Sequence, residues 1–287
     1  MFGHNFASQI PFDFLDEVSH PSNIDFYIKE VNSCLFGDLS KVDRVNINDA
    51  LFYRDKIGSF RVKEGKEITF NRLSNKVEDL RIAILIANAL IGYCIYQKNK
   101  FVLHASAIEY DNEAILFAGL SGSGKSSLSA SFTQANFITE DVSYLVEKKD
   151  HFQLCGGSSL LKLSDEVANK IDGIENYKKI SLKDDRLERN IYKLNVNAKE
   201  NITVKCIYFL DWGESFSIRS LNAKELIARL LLSTFSCVPM NSCKESTGMM
   251  MHNASKIAEN TPVFLLKRRK NLSFRDNKNI EGHFCRL

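Results

Sequence analysis

Four prolines in 287 residues, one tryptophan, and no C-x-x-C pair are the scarcities of this sequence. With so little proline and no Pro/Gly-rich stretch, a flexible linker or a polyproline segment is excluded. No internal repeat or low-complexity segment is present. The seven cysteines (Cys34, Cys94, Cys155, Cys206, Cys237, Cys243 and Cys285) are odd in number and lack metal-ligand spacing. Several stand in apolar surroundings, as in "IGYCIY" and "KCIYFL", where cysteine behaves as a small hydrophobe. A reducing, cytoplasmic compartment and no metal cluster are the expectation. The first residues, "MFGHNFASQIPFDF", have neither a basic n-region nor an apolar h-region, so no signal peptide is expected. The most apolar run, Ile82–Tyr96, falls short of the roughly 18 residues a membrane span needs and contains Asn88. It reads as a buried helix. The net charge of +3 is too small to argue for nucleic acid. The dense basic run Lys267–Lys270 reads as a solvated strand end.

What remains is an ordinary globular balance, 44% apolar and 25% charged. That length suits one large domain, or one domain with a small companion. Residues 1–76 mix short apolar patches with polar breaks and form a β-containing segment. Within it, "SFRVKEGKEITFN" predicts two strands around a Glu64-Gly65-Lys66 turn. Asn75 with Glu78 has the spacing of a capping box. Residues 77–287 carry the motifs. "FVLHASAIEY" and "AILFAGL", split by Asp111-Asn112-Glu113, predict a hairpin. The strand entering the next loop therefore has an antiparallel neighbour, where most doubly wound nucleotide folds have a helical crossover. Strands are expected in "NFITEDVSYLVEKKDHFQL", "VKCIYFLDWGE" and "TPVFLLKRR". Helices are expected from Lys125 to about Ala135 and over "LNAKELIARLLLSTF".

Residues 119–130 read "GLSGSGKSSLSA". Gly119, Gly124, Lys125 and Ser126 fit G-x-x-x-x-G-K-[ST], between a buried strand and a helix. Glycines let successive backbone N–H groups converge on an anion, and a helix N-terminus adds partial positive charge. Gly119, Ser121, Gly122, Ser123, Gly124, Lys125, Ser126 and Ser127 form the expected ATP cradle. In it Lys125 reaches the β/γ-phosphates and the Ser126 hydroxyl ligates Mg²⁺. Such a loop does not separate kinase, hydrolase, switch or motor. Two acidic candidates could. One is Asp211, closing "CIYFLD" as a Walker B strand would. The other is Glu140-Asp141 in "FITEDVSYL". Adjacent side chains on an extended segment point to opposite sides, so one carboxylate could face Mg²⁺ and the other an acceptor hydroxyl. His104, one strand before the loop strand, could approach that pair.

Taken together, "LHASAI", "ILFAGLSGSGKSSLS" and "FITEDVSYL" resemble the HPr kinase/phosphorylase superfamily. The likeness is closest to its short serine kinases of lasso-peptide and other peptide-tailoring clusters, and clearest over residues 101–146. The resemblance implies an α/β fold with a twisted mixed sheet and a P-loop, as in the HPr kinase C-terminal domain and PEP carboxykinases. It implies transfer of the ATP γ-phosphate to a serine hydroxyl of a peptide or protein. It makes Glu140 the base and Asp141 a metal ligand with Ser126, and it places His104 near the base. Glu140 replaces the family's usual aspartate. Ser127 stands where the bifunctional enzymes carry glutamate, and their Arg-Gly-rich signature is absent. Dephosphorylation, and HPr as substrate, are therefore not implied. Arg186, Arg189 and Lys193 are candidates to stabilise transferring charge. A small-molecule or carboxykinase-like phosphotransferase, a non-catalytic nucleotide sensor and an NTPase built on Asp211 stay open, as does a homo-oligomer.

Overall fold

The structure is a computed structural model. It describes every residue except 20–21, 34, 36–42, 47, 159, 185–188, 195–200, 235–243 and 271–274. Cys34, Cys237, Cys243 and Arg186 lie outside the described residues.

Among the described residues the chain is a mixed α/β protein with three sheets. The first has six strands: β1 (Phe6–Ser8), β2 (Phe26–Glu30), β3 (Arg44–Asn46), β4 (Asp49–Arg54), β5 (Gly58–Lys63) and β6 (Glu67–Arg72). Its order is β1-β2-β6-β5-β4-β3. The expected hairpin is β5–β6, turned by Glu64 and Gly65 at positive φ. Helix α1 (Asp79–Gln97) follows, with a π-helical stretch over Ile86–Leu90. Its N-cap is Glu78 and makes no side-chain cap bond, so the capping box expected at Asn75 does not form. By length and composition α1 could cross a membrane, but 72% of its most apolar window is buried inside the protein. It shares one apolar cluster with Phe26, Phe52, Phe60, Ile68 and Phe70 of the first sheet. Burial on several sides is why this helix is apolar nearly all round.

The central sheet holds β7 (Phe101–Leu103), β8 (Ala105–Tyr110), β9 (Glu113–Ala118), β10 (Asn136–Thr139), β11 (Ser143–Glu147), β12 (Phe152–Cys155), and then β16–β18. The third sheet is β13 (Leu160–Leu163), β14 (Lys178–Asp184) and β15 (Arg189–Lys193), all antiparallel. Back in the central sheet, β16 (Ile202–Trp212) runs parallel to both β9 and β18 (Val263–Arg268), and β17 (Ser217–Ser220) edges β18. β8 is antiparallel to β9, as the hairpin reading required, and Asp111 and Asn112 turn it at φ 50° and 64°. Alternation along β9 sends Ala114, Leu116 and Ala118 to one face, and Ile115 and Phe117 to the other. The first face is covered by α4 (Ala223–Ser233) and α5 (Lys244–Asn260). The second is covered by α2 (Lys125–Ala130) and α6 (Asn277–Phe284). The short α3 (Asp165–Ala168) caps the third sheet. α4 opens with the capping box of Asn222 and Glu225. α2 is six residues long and stops well short of Ala135. Hydroxyls of Ser129 and Ser131 bond backward to carbonyls of their own turn, a pattern that weakens a helix.

Candidate active site

Strand register brings His104 and the acid pair to the loop. Ala105 of β8 faces Ala118 of β9, so His104 stands level with Gly119, the first glycine of the loop. On its other side β8 pairs with β10, Thr139 facing Ala107. Before His104 the chain runs as β7, which pairs with β11, Leu103 facing Ser143. Residues 140–142 therefore bridge two strands opposite the bend at His104. They do so by a tight turn. Asp141 takes φ 62°, and the Val142 N–H donates to the Glu140 carbonyl at 2.7 Å. A non-glycine residue in this region is strained, and such strain gathers at functional sites. The two carboxylates do not alternate as on a strand; both meet Lys162 of β13. Glu140 Oε2 accepts from the Lys162 backbone N–H at 2.9 Å, and Asp141 Oδ2 lies 3.0 Å from Lys162 Nζ. Asp141 Oδ1 lies 3.6 Å from His104 Nε2.

Burial divides the pair. Glu140 is 1% exposed, while the Asp141 side chain is 26% exposed. Burial pushes the Glu140 carboxyl up to about 7, with the Asp141 charge acting in the same direction; Lys162 and the nearby Ser126 hydroxyl oppose them. Among the described residues, Glu140 Oε1 is buried with no hydrogen-bond partner of normal geometry. For Asp141 burial acts upward too, but Lys162, His104 and Lys125 outweigh it and hold the carboxyl well below the usual range. Burial, reinforced by Lys125, lowers the half-buried His104 to about 4, so the imidazole is neutral at pH 7.

The loop from Gly119 to Gly124 turns on glycines at φ 146°, 82° and 83°. Lys125 is buried, and its Nζ donates to the Gly119 carbonyl at 3.0 Å and that of Leu120 at 3.3 Å. Burial lowers it to about 8, while Asp141 and Glu140 pull it back up. Ser121 is exposed, Ser126 and Ser127 are half-buried, and the buried Ser123 hydroxyl has no hydrogen-bond partner among the described residues. Arg189 acts on both Lys125 and Glu140, so it belongs to this group. Lys193 does not; its Nζ donates to the Asp13 carbonyl on an exposed edge. Asp211, at the end of β16, is held by Arg229 of α4 at 2.6 and 3.2 Å.

Three side chains escaped the sequence reading. Lys162 is the lone charge in "SLLKLS", a strand whose Leu161 and Leu163 pack the opposite way into the core. That interruption was a legible signal. Trp212 Nε1 donates to the Gly122 carbonyl at 3.2 Å. Arg268 Nη2 donates to Ser123 and Gly124 carbonyls at 3.1 and 3.0 Å, and its guanidinium stacks 4.5 Å from the Trp212 ring. Arg268 is 7% exposed, which corrects the expectation of a solvated basic strand end. Lys267, Arg269 and Lys270 are the exposed members of that run.

The chain matches no family model and no curated protein. Among solved structures, one described as the Hpr(Ser) kinase/phosphatase from Coxiella burnetii aligns at 12% identity and a TM-score of 0.33. The alignment covers 65% of this chain and 89% of that one. A likeness this low does not bear on the fold or the activity of the chain.

Proposed function

We propose that the chain is an ATP-dependent phosphotransferase that moves the γ-phosphate onto a serine hydroxyl of a peptide or protein. The observation that carries this reading is the convergence of two carboxylates and an imidazole on the loop lysine. Lys125 interacts with both Asp141 and Glu140, and Asp141 with His104. ATP lies with its phosphates along residues 119–126. Lys125, with Arg189 beside it, balances charge on the β- and γ-phosphates. Mg²⁺ fits the donors present, since the Ser126 hydroxyl and the acid pair offer only hard oxygens and one buried carboxylate oxygen lacks a hydrogen-bond partner among the described residues. When bound it neutralises charge on the phosphate oxygens. Phosphoryl transfer passes through a loose transition state, so positioning and charge supply most of the rate. The site has cations for the phosphates and a carboxylate open to an incoming hydroxyl. A serine acceptor on a peptide rests on the resemblance of the three motifs.

The test is label transfer from [γ-³²P]ATP to peptides encoded beside this gene, with nucleotide binding followed in parallel. Trp212 is the sole tryptophan and bonds the loop, so its fluorescence reports that binding. Binding without label on any peptide or protein would refute the peptide-kinase reading. Label recovered in a metabolite fraction would redirect it to a small acceptor.

A further inference from the structure

We infer that the two carboxylates hold roles opposite to those the motif resemblance implies: Glu140 holds the divalent cation together with Ser126, and Asp141 receives the acceptor hydroxyl. This rests on the phosphotransferase reading and adds a division of labour to it.

Four observations carry it. The first is access. Glu140 is 1% exposed, beyond the reach of a hydroxyl on a peptide arriving from solvent, whereas Asp141 keeps 26% of its side chain open. The second is vacancy. Glu140 uses Oε2 on the Lys162 backbone, and Oε1 is buried without a hydrogen bond of normal geometry among the described residues, the Ser126 hydroxyl being its polar neighbour. A carboxylate oxygen in that state needs a cation or a donor. The third is neighbourhood. Lys162 acts on both carboxylates, but the Ser126 hydroxyl, which follows the loop lysine, lies beside Glu140 together with Arg189, while Asp141 is faced by His104 and Lys125. The fourth is competition. Asp141 Oδ2 already holds the Lys162 ammonium at 3.0 Å, and a divalent cation on the same carboxylate would be repelled by it.

The step then balances as follows. The acceptor oxygen, hydrogen-bonded to Asp141, attacks the γ-phosphorus. The bond from phosphorus to the β–γ bridging oxygen breaks, and ADP leaves with that electron pair. The hydroxyl proton passes to the Asp141 carboxylate. A loose transition state asks the carboxylate to orient the hydroxyl first and take its proton late. His104, 3.6 Å away, is a positioning residue for that carboxylate.

The experiment is Mn²⁺ titration followed by electron paramagnetic resonance, with and without a non-hydrolysable ATP analogue, on the full chain. Glu140→Gln should weaken nucleotide-dependent Mn²⁺ binding about tenfold or more. Ser126→Ala should do the same under either assignment, and Asp141→Asn alone decides between them should Glu140→Gln fail to fold. Asp141→Asn should hold Mn²⁺ within about threefold of wild type while label transfer falls about a hundredfold. Loss of Mn²⁺ in Asp141→Asn with retention in Glu140→Gln overturns the assignment whatever Ser126→Ala does, as does equal weakening in Asp141→Asn and Glu140→Gln. No nucleotide-dependent Mn²⁺ binding by the wild type overturns both this assignment and the phosphotransferase reading. Normal Mn²⁺ binding with the predicted variant pattern, but no label transfer to any acceptor, sinks the transfer reading and upholds the cation site.

Discussion

Replacing Lys162 by methionine removes the ammonium on which the acid pair depends and keeps most of the side-chain volume. Lys162 Nζ is 3.0 Å from Asp141 Oδ2, and the two side chains are 13% and 26% exposed. At that separation, with an effective dielectric near 20, the gross attraction is about 6 kcal/mol. Desolvating both groups and ordering the lysine side chain offset much of it. Breaking a fully buried pair costs about 3–5 kcal/mol, and partial exposure lowers the expected loss here to about 2–3 kcal/mol. The sign with pH follows from Asp141. Its folded-state carboxyl lies below the unfolded value of 3.8, so its contribution is complete above that value and fades as pH falls through the folded one. The penalty of Lys162→Met should therefore be full at pH 7 and shrink below about pH 4. Urea unfolding of wild type, Lys162→Met, Asp141→Asn and the double variant measures this. The double-mutant cycle should return a coupling of about 2–3 kcal/mol at pH 7. A coupling near zero, or a penalty unchanged in acid, would refute the electrostatic account and reduce Lys162 to a packing residue.

In metal-free protein, Glu140 stabilises the folded state most below its unfolded value of 4.5 and loses that advantage as pH rises to about 7. The swing is on the order of 3 kcal/mol at most. Glu140→Gln should remove this slope, seen as denaturant midpoints in chelator that diverge from wild type between pH 4.5 and 7; parallel curves would contradict it. Gly124 sits at φ 83°, and an added Cβ would collide with Arg268 Nη2 and press on Trp212. Gly124→Ala should cost about 1–2 kcal/mol from the left-handed backbone alone, with a shifted Trp212 emission maximum; an unchanged spectrum would show that the loop does not rest on those two side chains. Asp211→Asn should leave nucleotide binding intact, since both its oxygens are held by Arg229. Loss of Mg²⁺-ATP binding in that variant alone would favour the NTPase built on Asp211.

The hairpin feeding the loop, the buried apolar helix and the loop itself were legible in the sequence because each is a local pattern. Period-two alternation, a turn at Asp111-Asn112 and glycines at fixed spacing act within a dozen residues. The position of Asn75 relative to Glu78 misled because the chain enters α1 at Asp79, where packing against the first sheet sets the start rather than the cap. The length of α2 misled for a similar reason: Ser129 and Ser131 compete for its carbonyls. The partners of the acid pair are another matter. Lys162 comes from a separate sheet, and Arg268 reaches the loop from the last strand of the central one. No local pattern links residues so far apart in the chain.

What the amino-acid order determined unaided is therefore the glycine-turned loop before α2 and the strand pairing that sets His104 beside it, since both follow from backbone preferences of neighbouring residues. Tertiary structure alone decided which carboxylate is buried and which is open, and which cation each one meets. Those follow from desolvation and from distances between strands, quantities that exist only once the sheets have closed on one another.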